Sequence, residues 1–292
     1  QDYVQAEHLM VKCAEDCEHP ISAWLVAAKA AFQLQNYENA KHYLSLIEVN
    51  NNSKPIFEAM ALKVDCLLAQ HDIKNAREFI DANHTLIGHN FRLLTADIKV
   101  ALAEKRYLAV IENLTLARKE QTISAEQINL WQSEAYTEHM RSLYQQNGTE
   151  ALINYWQSIN RKLKKQTTVI IAYATVLSEN KLTEQFIDLL HPIIKKDADE
   201  ELLMAIAQMS LGQIQPLIAE IQKHREKHPE NTKWLRGLAH ITAQVGDWHV
   251  AESAFNDLFA IENNTQDFKI YGWVLENLAH HKEANQAYRK SL

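Results

Sequence analysis

Fourteen histidines and three cysteines are the residues of this 292-residue chain best suited to metal or acid–base chemistry. His224 and His228 stand at i and i+4, a spacing that puts two imidazoles on one helix face, where they can hold a metal. Arg225, Glu226 and Lys227 lie between them, so no HExxH is formed, and a solvated helix end accounts for the pair. His280-His281 is a second histidine pair with no further ligand beside it. Cys13 and Cys17 are also four apart, which is not CxxC spacing, and Cys66 makes the count odd. That argues against a zinc site and against a disulfide framework. Three small apolar fillers in a reducing compartment are the simplest reading. Cys17-Glu18-His19-Pro20 could be imagined as an axial ligand for a haem iron, but a helix cap before a turn is the plainer account. There is no GxSxG elbow, and with six glycines there is no GxGxxG or other phosphate loop. No residue is expected to be catalytic, and no metal or resident cofactor is expected.

The elements that would carry these residues repeat. A small residue or its stand-in falls at Ala6, Ala40, Ala76, Val110, Ala151, Gln185, Leu217, Ala251 and Ala284, at intervals of 34, 36, 34, 41, 34, 32, 34 and 33 residues. A period near 34 is the signature of tetratricopeptide repeats, each a helix–turn–helix pair. An aromatic or aliphatic residue precedes the ladder by three at Tyr37, Ile73, Tyr107, Leu182, Ile214 and Trp248. In residues 232–264, Leu235, Leu238, Ala239 and Thr242 form one buried stripe. Gly246-Asp247 turns the chain, and Ala251, Phe255 and Leu258 form the next stripe. The same plan gives Trp24, Ala28 and Ala31, then Ala40, Leu44 and Ile47, near the start. Gly272 takes the place of Ala239, where two helices must approach closely.

The expected fold is an all-α, right-handed α-solenoid superhelix of about eight helical hairpins plus a leading helix. It is read as one domain: a half repeat over 1–20, then repeats over 21–54, 55–90, 91–123, 124–163, 164–197, 198–230, 231–264 and 265–292. The long interval before Ala151 predicts an extended helix over 125–146. Pro216 opens the second helix of a short unit, where proline is tolerated. Residues 50–55 read as a loop between units.

Composition narrows the function. Apolar residues make up 47% of the chain, enough for a continuous core, and the net charge of −7 works against nucleic-acid binding. No apolar run reaches the ~18 to 20 residues of a membrane span, 169–177 being the best candidate. No secretory signal is present. The chain opens with Gln1, as a piece of a longer protein would. Arg161-Lys162-Leu163-Lys164-Lys165 is the dense basic run, either a solvated turn or a contact for anionic lipid or an acidic partner.

The particular sequence resembles the HemY family of bacterial haem-biosynthesis proteins. The stretches that carry the likeness are EHLMVKCAEDCEHPISAWLVAAKAAFQLQNYENAKHYL, ALINYWQSINRKLKKQTTVIIAYATVL and EIQKHREKHPENTKWLRGLAHITAQVGDWHVAESAF, with the closing AYRKSL. Trp156, Tyr173, His228-Pro229, Leu238, Trp248, Ala251 and Tyr288 fall where that pattern places them. The resemblance implies an inner-membrane protein with two N-terminal spans ahead of this cytoplasmic repeat domain. It also implies a non-catalytic organiser of late protohaem synthesis, near protoporphyrinogen oxidation and iron insertion. The flavin-dependent oxidase that shares the name elsewhere is a different protein, and no flavin loop is found here.

In tetratricopeptide superhelices the first helices line the concave side. Aligned on the ladder, the positions off the buried stripe are Lys29, Phe32, Arg92, Lys99, Lys233, Arg236, His240 and Trp273. These cations and aromatics suit an acidic peptide or a porphyrin propionate, and they also suit an ordinary solvated face. The function expected is protein–protein scaffolding of late haem-biosynthesis enzymes at the inner membrane. Two alternatives stand beside it. One is a haem or porphyrin carrier with His240 on iron and Arg236 on a propionate. The other is a repeat adaptor unrelated to haem.

Overall fold

The structure, a computed structural model, describes residues 2–18, 20–47, 54–87, 90–120, 123–210 and 212–292. Within them the regular structure is helical and no strand occurs. The chain divides into two compact units, Gln1–Ala135 and Tyr136–Leu292.

The first unit contains α1 (Tyr3–Glu15), α2 (Ile21–Gln33), α3 (Tyr37–Ser45), α4 (Lys54–Ala69), α5 (Ile73–Ala82), the single turn α6 (His84–Ile87), α7 (Phe91–Ala103), α8 (Tyr107–Glu120) and the start of α9 (Ala125–Ser158). Helix α2 packs on α4 and α4 on α7, so first helices of successive hairpins lie side by side. Alanines at the seam allow the close approach: Ala28, Ala31, Ala40, Ala76 and Ala101 are fully buried.

The second unit contains the rest of α9, a 3₁₀ turn at Leu163–Lys165, α10 (Thr167–Glu179), α11 (Thr183–Lys196), α12 (Glu200–Ala207), α13 (Gln215–Lys227), α14 (Thr232–Val245), α15 (Trp248–Phe259), α16 (Thr265–Asn277) and α17 (His281–Lys290). Here α10, α12, α14 and α16 pack in succession, and α11 packs on α13. Both units therefore have the stacked-hairpin architecture of an α-solenoid, in which each pair buries its apolar face on the next.

Local chemistry starts and stops the helices. Asn36, Asp72, Asn90, Asp199, Asn231 and Asn264 each accept a backbone N–H of the first helical turn, which satisfies a donor that the helix leaves unpaired. Six hairpins close on one residue in the left-handed region: Gln35, His71, Lys105, Lys181, Gly246 and Ala279, with φ between 57° and 82°. At each, the left-handed residue donates to the carbonyl three back and the next residue to the carbonyl five before itself, as in Ala279 N to Glu276 O and His280 N to Leu275 O. This capping saturates the last carbonyls of the first helix. Only one of the six is glycine, so five carry the steric cost of a Cβ in this conformation.

Five residues after each left-handed residue comes the buried seam residue: Ala40, Ala76, Val110, Phe186, Ala251 and Ala284. The expected ladder is displaced by one in the middle of the chain. Phe186, not Gln185, occupies the seam of its hairpin, and Leu152, not Ala151, is the fully buried residue of its helix. At Phe186 the cause is that Leu182 is the cap of α11, whereas Tyr37, Ile73, Tyr107 and Trp248 are first helical residues. In α13 the backbone N–H groups of both Leu217 and Ile218 reach the Ile214 carbonyl, and Leu217 is fully buried at its expected ladder position.

The long interval lies in α9, which runs from Ala125 until Gly148, at φ 75° and ψ −166°, breaks the helical torsions. Pro216 stands in the first turn of α13, where its missing N–H costs no helical bond. Of the expected loop over 50–55, residues 50–53 lie outside the described residues, and α4 begins at Lys54.

Candidate interaction surface

The first helices of the N-terminal unit form an open face with two adjoining clefts. One, of about 690 Å³, is floored by Ala30 and Leu62 and rimmed by Tyr3, Val26, Lys29 and Phe32. The other, of about 440 Å³, lies between Ala61, Phe91, Arg92, Lys99 and Trp131. Asp65 on α4 lines both. Small residues at the floor make the hollows, and aromatics at the edge supply contact area.

Charge on this face is largely settled within it. Lys29 Nζ donates to Glu58 Oε1 at 2.6 Å, and Arg92 Nη1 reaches the same oxygen at 2.8 Å. Lys99 Nζ donates to Asp65 Oδ1 at 2.7 Å. Burial pushes the Glu58 carboxyl up, but the two cations outweigh it and hold it below the usual carboxylate range. Three cations thus meet two carboxylates across α2, α4 and α7. Phe32 packs against Tyr37 beside this row, with ring centroids 5.6 Å apart.

The four candidates of the second unit stand differently. Arg236 is buried: its Nε donates to Asp267 Oδ2 at 3.0 Å and its Nη1 to Glu200. Its Nη2 lies 3.2 Å from Glu262 Oε2, an ion contact whose angle falls short of a hydrogen bond. His240 Nε2 donates to Asp267 Oδ1 at 2.8 Å, and the ring meets the edge of Phe255. Burial pushes the Asp267 carboxyl up, and the hydrogen bonds from His240 and Arg236 more than reverse it, leaving it below the usual range. Asp267, itself 1% exposed, therefore binds α14 to α16. Lys233 Nζ donates to Asp197 Oδ1 at 2.5 Å and lies 4.6 Å from the centre of the Trp234 ring. Trp273, 38% exposed, stands edge-on to Trp248 at 4.9 Å. So Lys29, Phe32, Arg92 and Lys99 come together on one accessible face, while Arg236 and His240 are spent on an internal ion network.

The other reactive residues are also engaged. His224 Nε2 donates to the Ile194 carbonyl at 2.8 Å, and its ring stacks on Trp234 at 4.0 Å. His228 is exposed at the end of α13, and His280 Nδ1 lies 3.2 Å from Glu252. Cys13 and Cys17 are exposed, whereas Cys66 is buried and its thiol is pushed up to about 11, by burial first and by Asp65 second. His19 lies outside the described residues. Among the described residues no three His, Cys, Asp or Glu side chains converge as metal ligands do, and no helix is long and apolar enough to cross a membrane.

Sequence reasoning found the cations and missed Glu58, Asp65, Asp197, Glu200 and Asp267, their partners. The signal was present: Asp65–Lys99, Asp197–Lys233 and Glu200–Arg236 are opposite charges separated by 34, 36 and 36 residues, one repeat apart.

No family model matches the chain. Protein HemY of Escherichia coli (strain K12) is 22% identical over 292 residues, which is 99% of this chain and 72% of that protein, and HemY of Shigella flexneri matches equally. The resemblance to HemY runs the length of the chain. Among solved structures, a tetratricopeptide repeat protein from Parabacteroides merdae aligns with 98% of this chain and 92% of its own at 10% identity and TM-score 0.36. Yeast Tom70 aligns with 98% and 59% at 13% identity and TM-score 0.40. Scores this low leave the fold resting on the helix packing itself. Among the residues on which the sequence resemblance rests, Trp156 stacks on Tyr173 with ring centroids 4.4 Å apart and planes within 11°, Ala251 is fully buried, and His228 and Pro229 are exposed.

Proposed function

We propose that this chain is a non-catalytic, protein-binding repeat domain whose open face on α2, α4 and α7 receives a segment of a partner protein. The observation that carries the reading is the pair of adjoining clefts with alanine floors, aromatic rims and nearly balanced charge. Such a lining offers apolar side chains a place to bury and offers polar groups partners at the rim. Because Glu58 and Asp65 already neutralise most of the cations, the segment that fits is mixed in character, not purely acidic. The HemY resemblance supports partners among the enzymes of late haem synthesis. It also supports a full-length protein that holds this domain at the cytoplasmic face of the inner membrane. Holding such enzymes on one scaffold raises their effective concentration and limits escape of a reactive porphyrin.

Photo-crosslinking in cells tests this. A benzophenone side chain at Val26 or Thr95, both in the clefts, is expected to capture a partner, and one at Leu116, exposed on α8, is not. Capture from Leu116 alone would overturn the surface assignment. Capture at Val26 and Thr95 of proteins unconnected with haem would leave the surface standing and remove the pathway.

A further inference from the structure

The turn between α9 and α10 gathers surface charge of one sign, independently of the clefts. From residue 151 to residue 178 the chain has four cations, Arg161, Lys162, Lys164 and Lys165, and no Asp or Glu, in a chain whose net charge is −7. Many cations elsewhere are matched: Lys29, Arg77, Arg92, Lys99, Arg141, Lys233 and Arg236 each have a carboxylate within 4 Å. Arg161, Lys162 and Lys165 are exposed, and among the described residues none of them has such a partner.

The turn is also a built structure. Asn160 accepts the Lys162 N–H through its side chain at 2.8 Å, and its carbonyl accepts the N–H groups of Leu163 and Lys164. Residues Leu163–Lys165 then form a 3₁₀ turn. Lys164 is spent on holding it: Nζ donates to the Gln157 carbonyl at 2.9 Å and lies 5.6 Å from the centre of the Trp156 ring, which is stacked on Tyr173. The neighbouring carboxylate, Asp199, is taken by the Thr167 hydroxyl at 2.5 Å and by the cap of α12. Three like charges thus follow one another along a fixed backbone turn with no internal counterion, so little loop ordering is left to be done on binding.

We propose that this turn docks a carboxylate-rich segment of a partner protein, with Arg161, Lys162 and Lys165 as the recognising charges. Arg161 suits bidentate carboxylate contact, and the two lysines add point charges beside it. A lipid surface fits less well. Among the described residues no large hydrophobic side chain between Leu130 and Ile261 is exposed to enter a bilayer beside these charges. A nucleic acid would need a longer basic stripe than four residues in an acidic chain.

The test is fluorescence anisotropy of a fluorescein-labelled oligoglutamate against the purified chain at low salt. Expected is saturable binding that falls as salt rises, weakened roughly tenfold by combining Arg161→Glu, Lys162→Glu and Lys165→Glu, with the thermal midpoint unchanged. Should that triple variant fold poorly, Arg161→Gln alone is expected to weaken binding about twofold. No binding of the peptide, or equal binding by a folded variant, would overturn the proposal. So would binding confined to phosphatidylglycerol vesicles, which would assign the same charges to a membrane.

Discussion

The ring of Tyr288 lies across the backbone of Gly272, so that a Cβ on residue 272 would sit 2.6 Å from Cε1 and 2.8 Å from Cδ1. The phenol is tethered by its hydroxyl to Glu276 at 2.9 Å, so the ring is not free to swing away. Gly272→Ala is therefore expected to destabilise the C-terminal hairpin of α16 and α17 by about 1–3 kcal/mol, as overpacking does. Hydrogen exchange should show the loss concentrated in those two helices. Uniform loss across the second unit would count against the contact.

The left-handed closures predict opposite signs for two exchanges. Ala279→Gly, at φ 62° on an exposed tip, removes a Cβ from a conformation it disfavours and should stabilise by about 1 kcal/mol. Gly246→Ala, at φ 82°, should destabilise by a similar amount. Urea unfolding of the two variants beside the parent chain decides both.

Buried and exposed ion pairs should behave unequally. Asp267→Asn takes the buried carboxylate from Arg236 and His240, leaves Arg236 only the half-exposed Glu200 and Glu262, and costs about 1–3 kcal/mol. Glu58→Gln breaks two half-exposed pairs and costs under about 1 kcal/mol. The Asp267 carboxyl is held below its ordinary value, so its contribution is full above roughly pH 4 and is lost as the pH falls through the lowered value. The gap in unfolding free energy between the parent chain and Asp267→Asn should narrow on acidification from that pH downward. A gap that widens would reverse the sign assigned here.

Thiol labelling separates the three cysteines. Cys13 and Cys17 are exposed, and Cys66 is buried with its thiol pushed up to about 11. A disulfide reagent at pH near 8 should modify two thiols quickly and the third only on unfolding. Prompt reaction of Cys66→Ser and the parent chain at different stoichiometry would show that α4 opens readily.

Much of the hairpin plan is legible in the sequence because close helix approach demands small residues, and Ala40, Ala76, Ala251 and Ala284 stand at that demand. Register was lost where it rested on tip residues. Leu182 looks like Tyr37 and Trp248 in type but sits one place earlier relative to its helix, which moves the seam to Phe186, whereas Leu217 after Ile214 is fully buried as the ladder expects. The left-handed tips were legible once, at Gly246. Gln35, His71, Lys105, Lys181 and Ala279 carry no sequence mark of their torsion. Lys29, Phe32, Arg92 and Lys99 were placed on one surface by the repeat period alone. Arg236 and His240 came from the same alignment, but burial there depends on Asp267 from the following helix, which no local pattern around 236–240 announces.

Five of the six hairpin tips hold their shape through backbone bonds alone, with side chains as unlike as those of Gln35, His71 and Ala279. Mutational drift at these corners is consequently almost silent to the architecture. A repeat chain built this way can change the side chains at its corners without having to refold.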